Sequence, residues 1–324
     1  MRSLKEASSS LGVELLVVCV MGSFAFAAQL SGIAVVLFPE LAALSHDVLV
    51  RPEGEWANQP MALVLAPTLT AALGLLCTRH LPYGAASILL IVVASLVVIR
   101  LLSCSMSPAI SAGVLPLLLN ERSWWYPIAI FIDLLLLVLV LTVRKRYFRP
   151  DSTRREDRSE HSQILDELEA VPRSRFWWAA LLAVVLVLGA AAQFTGLRFL
   201  LFPPLIVMGY ELLGHSHVPG WIKRPALLPV ICLVTAGIGL IAKQAIHPSF
   251  LAVMVTVACS VIVLGIFDLR MPPALAIGVL PFVIRDPDYR YPLSVFLGTT
   301  ALTLAYSGYR RLLGIYETHV AEIP

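Results

Sequence analysis

Few side chains in this sequence could do chemistry, and most of those interrupt long apolar runs. An ionisable group surrounded by lipid-soluble neighbours is expensive to keep, so each is a functional candidate. Asp133 sits in IAIFIDLLLLV and Arg198 in FTGLRFLLF. Either they pair and neutralise each other, or Arg198 faces a cavity and binds an anion; pairing or snorkelling is the expectation. Gln29 and Gln193 occupy matching stretches, AAQLSG and AAQFTG, and could donate hydrogen bonds to a solute or to a neighbouring helix. Glu40, Asp47 and Glu211 lie in or beside short broken segments. Asp47 and Glu211, at equivalent places, read as proton-relay groups or as solvated helix ends, with solvated ends expected. Arg100, Asp268 and Arg270 flank two Met-x-Pro motifs, where they could line a vestibule; interfacial anchoring is expected. His215-x-His217 is the one histidine cluster and has no third partner in the sequence, so no metal site is expected. There is no phosphate-binding glycine loop, no nucleophile elbow and no His-Glu-x-x-His. The chemistry on offer is solute binding and proton handling, so neither an enzyme nor a cofactor is expected.

The elements that must position these groups follow from composition. Of 324 residues, 58% are apolar and 14% charged, and mean hydropathy is +0.84. Ordinary soluble domains carry about a quarter charged residues. A soluble enzyme, a disordered chain and a nucleic-acid-binding domain are excluded, and an all-α polytopic membrane protein is indicated. Five cysteines without a CxxC pair give neither a disulfide framework nor a zinc site. Apolar runs of spanning length cover 11–38, 60–77, 82–103 and 124–143, then 176–201, 225–242, 249–267 and 291–309. Eight spanning helices are therefore expected, in two sets of four at 11–143 and 176–312. A charged linker at 144–175 separates them and holds nine basic and seven acidic residues, and a tail follows at 313–324. Within the linker, Ile164, Leu165, Leu168 and Val171 have helical spacing and predict a short amphipathic helix. Basic residues before the first run, around the linker and after the last run place both termini in the cytoplasm. The same rule places the Arg79-His80 and Lys243-Gln244 turns there. A bacterial plasma membrane is the expected location.

The chain repeats itself. Ala27–Gly32 matches Ala191–Gly196, and Leu37-Phe38-Pro39 matches Leu201-Phe202-Pro203, both 164 positions on. From Trp56 the offset is 165: Trp56 pairs with Trp221, Gly74-Leu75 with Gly239-Leu240, and Gly113-Val114-Leu115-Pro116 with Gly278-Val279-Leu280-Pro281. Tyr126-Pro127 pairs with Tyr291-Pro292. Agreement in Trp, Pro, Gly, Gln and Tyr in one register identifies a duplication. It also bears on Ala25-Phe26-Ala27, which resembles a signal-peptide cleavage site: the second half keeps the equivalent segment, so the first helix is expected to be retained. An even number of spans per half makes the repeats parallel, related by a pseudo-two-fold axis along the membrane normal.

Two stretches in each half are apolar but too short to span: 38–50 with 202–214, and 107–119 with 272–284. Each opens with proline near a helix first turn. Short Gly/Pro-interrupted segments at matching places in two halves are the best sequence pointer to a transport site. Met106, Ser107, Pro108, Met271, Pro272 and Pro273 therefore join Gln29, Gln193 and Arg198 as candidate substrate contacts. Asp133, Asp47, Glu211, Arg100, Asp268 and Arg270 are candidate ion-pair or relay groups.

These features resemble two fused copies of the HPP family, four-helix integral membrane proteins named for a His-Pro-Pro motif. Gly32–Phe38 approximates the family's Gly-x-x-Ala-Val-Leu-Leu-Phe run, Gln59-Pro60 its Gln-Pro, and Met271-Pro272-Pro273-Ala274 its His-Pro-Pro-Ala. Met106-Ser107-Pro108-Ala109 is a weaker copy, and methionine replaces the naming histidine in both. The resemblance implies small-anion transport, with nitrite the anion associated with plant members. The implied partners are the bilayer and a small anion, not nucleic acid; a homo-oligomer is compatible. A non-catalytic membrane scaffold, or a membrane enzyme acting on lipids, are the alternatives from other classes.

Overall fold

The computed structural model describes residues 4–147, 172, 176–215, 224–267, 269 and 271–321. The expected linker helix, with Ile164, Leu165, Leu168 and Val171, lies outside the described residues, as do Asp268, Arg270 and His217. The chain is an all-α polytopic membrane protein, and the described residues contain no strand. The first half holds α1 (Leu4–Ser31), α2 (Glu40–Val50), α3 (Pro60–His80), α4 (Ala85–Leu101), α5 (Pro108–Leu119) and α6 (Trp125–Tyr147). The second holds α7 (Trp177–Thr195), α8 (Pro203–Gly214), α9 (Leu227–Ala245), α10 (Ser249–Ile266), α11 (Pro273–Val279) and α12 (Arg290–Ala321).

Six helices, α1, α3, α6, α7, α9 and α10, are long and apolar enough to cross a membrane. The other two expected spans fall just short for identifiable reasons. Helix α4 has 17 residues, at the lower edge of the spanning range. Helix α12 is long but carries Thr299, Thr300, Thr303 and Ser307. All four hydroxyls donate to carbonyls one turn back in their own helix, which satisfies them without water.

Contacts between chain-distant residues fix the direction of every helix. Glu14, near the start of α1, meets His46, near the end of α2, at 3.3 Å. Helix α2 thus runs back toward the face where α1 begins, here the terminal face. Trp56 Nε1 donates to Ser105 O, and Lys145 Nζ donates to Ala57 O, so the α2–α3 and α4–α5 connections and the end of α6 share that face. On the opposite face, Arg79 Nη2 donates to Arg122 O at 2.7 Å, tying the end of α3 to the α5–α6 loop. The repeat does the same with Gln244 and Pro287 O. This corrects the expected topology: the Arg79-His80 and Lys243-Gln244 turns lie opposite the ends of the helical halves. The cause is the short segment after α1. A left-handed Gly32 ends α1, a 3-10 turn covers Ala34–Val36, and α2 then descends to the terminal face, so a broken helix adds one crossing and reverses α3. Gly196, the 3-10 turn Arg198–Leu201 and α8 repeat the device. Helices α5 and α11 add a second short crossing. Six crossings per half remain an even number, so the halves stay parallel.

The halves exchange arms. Helix α1 packs antiparallel on α10, and α7 on α4. Gly22 admits Met254, and Phe26 meets Phe250 edge to face at 5.4 Å between centroids. At the centre, α2, α5, α8 and α11 close a ring: each packs on one short helix of its own half and one of the other. Every residue of α8 and α11 is buried, and nearly all of α2 and α5.

Backbone contact at glycine sets the ring's spacing. A Cβ on Gly74 would lie 1.9 Å from Gly113 O, and one on Gly239 would lie 1.9 Å from Gly278 O. Only glycine lets α3 and α9 approach α5 and α11 so closely. Helix α5 and the 3-10 turn Leu280–Phe282 that continues α11 each contain a proline that orphans a carbonyl four residues earlier. Pro116 frees Ala112 O and Pro281 frees Ile277 O. Tyr126 OH donates to Ala112 O at 2.7 Å, and Tyr291 OH donates to Ile277 O at 2.5 Å. Both tyrosines are buried, so the phenols complete a hydrogen-bond ladder that lipid could not.

Candidate functional site

The central ring carries most of the buried ionisable groups of the described residues. Along α2, Glu40, Asp47 and Arg51 are spaced seven and four apart, which puts them on one helical stripe. At 1.5 Å per residue, Glu40 and Asp47 stand about 10 Å apart along the axis. All three are buried, Glu40 and Asp47 at 2% exposure. The matching stripe of α8 reads Pro204, Glu211 and His215, and Glu211 and His215 are also buried.

At the terminal-face end, Arg51 Nε donates to Asp47 Oδ1 at 3.0 Å. Across the half–half boundary, Ser107 Oγ, just ahead of α5, donates to Glu211 Oε1 at 3.2 Å. Asp47 and Arg51 are near enough to Glu211 to act on its carboxyl electrostatically. Deeper in the protein, Glu40 stands in the first turn of α2, beside the break in the helix. Ser111 Oγ donates to its Oε1, while its Oε2 is buried with no partner. The first turn of a helix favours a carboxylate, but an apolar interior penalises the charge heavily. A carboxyl held between those tendencies can exchange a proton with whatever reaches it. Arg51 is the one buried guanidinium of the described residues.

The sequence-predicted residues separate into two groups. Met106, Ser107, Pro108, Met271, Pro272 and Pro273 are buried at the terminal-face end of the ring, beside the charged cluster. Asp47 and Glu211 join them there, which corrects the expectation of solvated helix ends. Burial follows from α2 and α8 crossing the bundle instead of capping it. The remaining candidates sit elsewhere. Gln29 and Gln193 are exposed at the far ends of α1 and α7. Gln193 Oε1 accepts from Ala85 N at 3.3 Å at the start of α4, a structural contact between halves. Arg198 is exposed on the opposite face, its guanidinium 5.0 Å from the centroid of the Tyr83 ring. The Asp133–Arg198 pair is therefore not formed: Asp133 is buried midway along α6 with Oδ2 unpartnered, while Arg198 lies at the rim. Arg100 is exposed at the end of α4 on the terminal face, whereas the expected single crossing per apolar run would put it on the face opposite the termini.

Sequence reasoning missed Arg51 and Ser111 and assigned Glu40 no role. The available signal was the spacing of Glu40, Asp47 and Arg51 on one helical stripe. Among the described residues no group of three or more His, Cys, Asp or Glu side chains is placed to hold a metal ion. Compared with known family models, curated proteins and solved structures, the chain matches none.

Proposed function

We propose that the protein is a secondary transporter that moves a small solute together with a proton along the ring of short helices. The observation that carries this reading is Glu40: a buried carboxyl with one free oxygen, at the break of a discontinuous helix, on the boundary between two parallel repeats. Broken helices at repeat interfaces are where transporters place their sites. Arg51 supplies a cation at the terminal-face mouth, and Glu40 supplies a proton carrier deeper in. An anion held at Arg51 in competition with Asp47, accompanied by a proton on Glu40, would cross without net charge. The resemblance to the HPP family then suggests a small inorganic anion such as nitrite. The basic residues at 144–146 and 310–311 make the terminal face the cytoplasmic one.

The test is nitrite uptake by proteoliposomes under an imposed pH gradient. Uptake should be saturable, should follow the gradient, and should lose its response to the gradient in Glu40→Gln. If nitrite, nitrate, formate and chloride all move no faster than in empty liposomes, the transporter reading falls and a membrane assembly subunit takes its place.

A further inference from the structure

On the terminal face, a groove of about 710 Å³ runs down the outer wall where α4 meets α7. Its volume is that of a ligand cleft, about 300–1,000 Å³. Val93, Val97 and Leu182 make its walls apolar, while Arg100, Trp177 and Trp178 lie at its terminal-face end. Arg100 and Trp178 are exposed. Arg100 forms no ion pair among the described residues, unlike the buried Arg51. Tryptophan at this level marks the membrane–water boundary. The groove therefore presents a hydrocarbon-lined trough below the boundary and a free cation at it, in a wall that faces lipid.

The duplication supplies an internal control. At the pseudo-equivalent junction of α10 with α1, Gly265 replaces Arg100, and Val13 and Glu14 replace Trp177 and Trp178. That junction has an acidic residue, engaged with His46, where the first has an aromatic belt and a cation. One packing geometry thus carries opposite charge at its two copies, and only the α4–α7 copy complements a negative headgroup. Anionic lipids concentrate in the cytoplasmic leaflet and are drawn to Lys and Arg at the surface.

We propose that the α4–α7 groove is a binding site for one anionic phospholipid of the leaflet at the terminal face. Its phosphate lies against Arg100, its glycerol region beside Trp178, and an acyl chain along Val93, Val97 and Leu182. Tyr210 of α8 forms part of the groove floor, so the bound chain braces the helix that carries Glu211. This site does not depend on the transport reading.

The test is native mass spectrometry of the full-length protein released from nanodiscs that mix phosphatidylglycerol and phosphatidylcholine of identical chains. The wild type should retain phosphatidylglycerol at least fivefold over phosphatidylcholine. Arg100→Gln should remove most of that preference, about fivefold for one cation. Val97→Trp, which fills the trough and leaves Arg100 intact, should lower retention of both lipids at this site. Gly265→Arg should not create a second site, because Glu14 stays in place. Equal retention of the two lipids by the wild type, or a preference unchanged in Arg100→Gln, would overturn the proposal. So would full competition by millimolar inorganic phosphate, which would show an anion site with no need of a lipid tail.

Discussion

The two halves keep the same backbone and differ in what they charge. Gly74 on Gly113 is reproduced by Gly239 on Gly278, and Tyr126 with Pro116 by Tyr291 with Pro281. By contrast Glu40 corresponds to Pro204, Asp47 and Arg51 to Glu211 and His215, and Asp133 to Gly298. Gly298 has no room for a side chain, since a Cβ there would lie 2.3 Å from Leu200 O. Packing devices come in pairs because both halves must solve the same problem of close helix approach. Glu40 and Asp133 have no ionisable counterpart in the other half, whereas Asp47 and Glu211 keep a carboxyl in both and Arg51 becomes His215. The asymmetry therefore marks the candidate site more sharply than the symmetry does.

The comparison breaks first at the glycines. Gly74→Ala and Gly239→Ala each force a methyl group into a carbonyl oxygen, and each should destabilise the protein by about 3 kcal/mol or prevent folding. Denaturation in mixed detergent would show it, and a large difference between the two variants would mean the halves are not mechanically equivalent. Asp47→Asn comes next. It removes the carboxylate to which Arg51 donates, and loss of one partner of a buried pair costs about 3 kcal/mol. Glu211→Gln keeps an acceptor for Ser107 and should cost under about 1 kcal/mol in the same assay. Glu40→Gln should leave unfolding nearly unchanged while lowering gradient-driven uptake at least tenfold, so a variant that loses both together would make Glu40 structural. A matched pair of variants sharpens the symmetry: Tyr126→Phe and Tyr291→Phe each orphan one buried carbonyl and should cost about 1–2 kcal/mol, equally within error.

Much of this architecture could be read from the sequence because it was written twice. The Gly, Pro and Tyr pairs announced the duplication, and their structural reasons are the helix crossings and the orphaned carbonyls. The parallel relation of the halves was also legible, since it needs only an even number of crossings. The direction of α3 was not. Charge at Arg79 and Lys243 pointed to the wrong face, because both side chains are spent on loop carbonyls, Arg122 O for one and Pro281 O and Ile284 O for the other. A basic residue that caps a loop says little about sidedness. The candidate site was half legible: the Met-x-Pro segments lie at the end of the ring where Asp47, Arg51 and Glu211 are buried. Gln29, Gln193 and Arg198 fall outside the ring, because polarity next to an apolar run does not reveal which wall of the helix it occupies.

The ring of short helices has one more consequence. Its members alternate so that each touches one neighbour from its own half and one from the other, and α1 and α7 reach over to grip the opposite repeat. Neither half can close the ring by itself. The protein is in effect a dimer written as one chain, and the segment between α6 and α7 replaces a concentration-dependent assembly with a permanent one. Two identical subunits would have to carry the same residue on both sides of the axis. Joining them released that constraint, and so a glutamate at position 40 could come to stand opposite a proline at position 204.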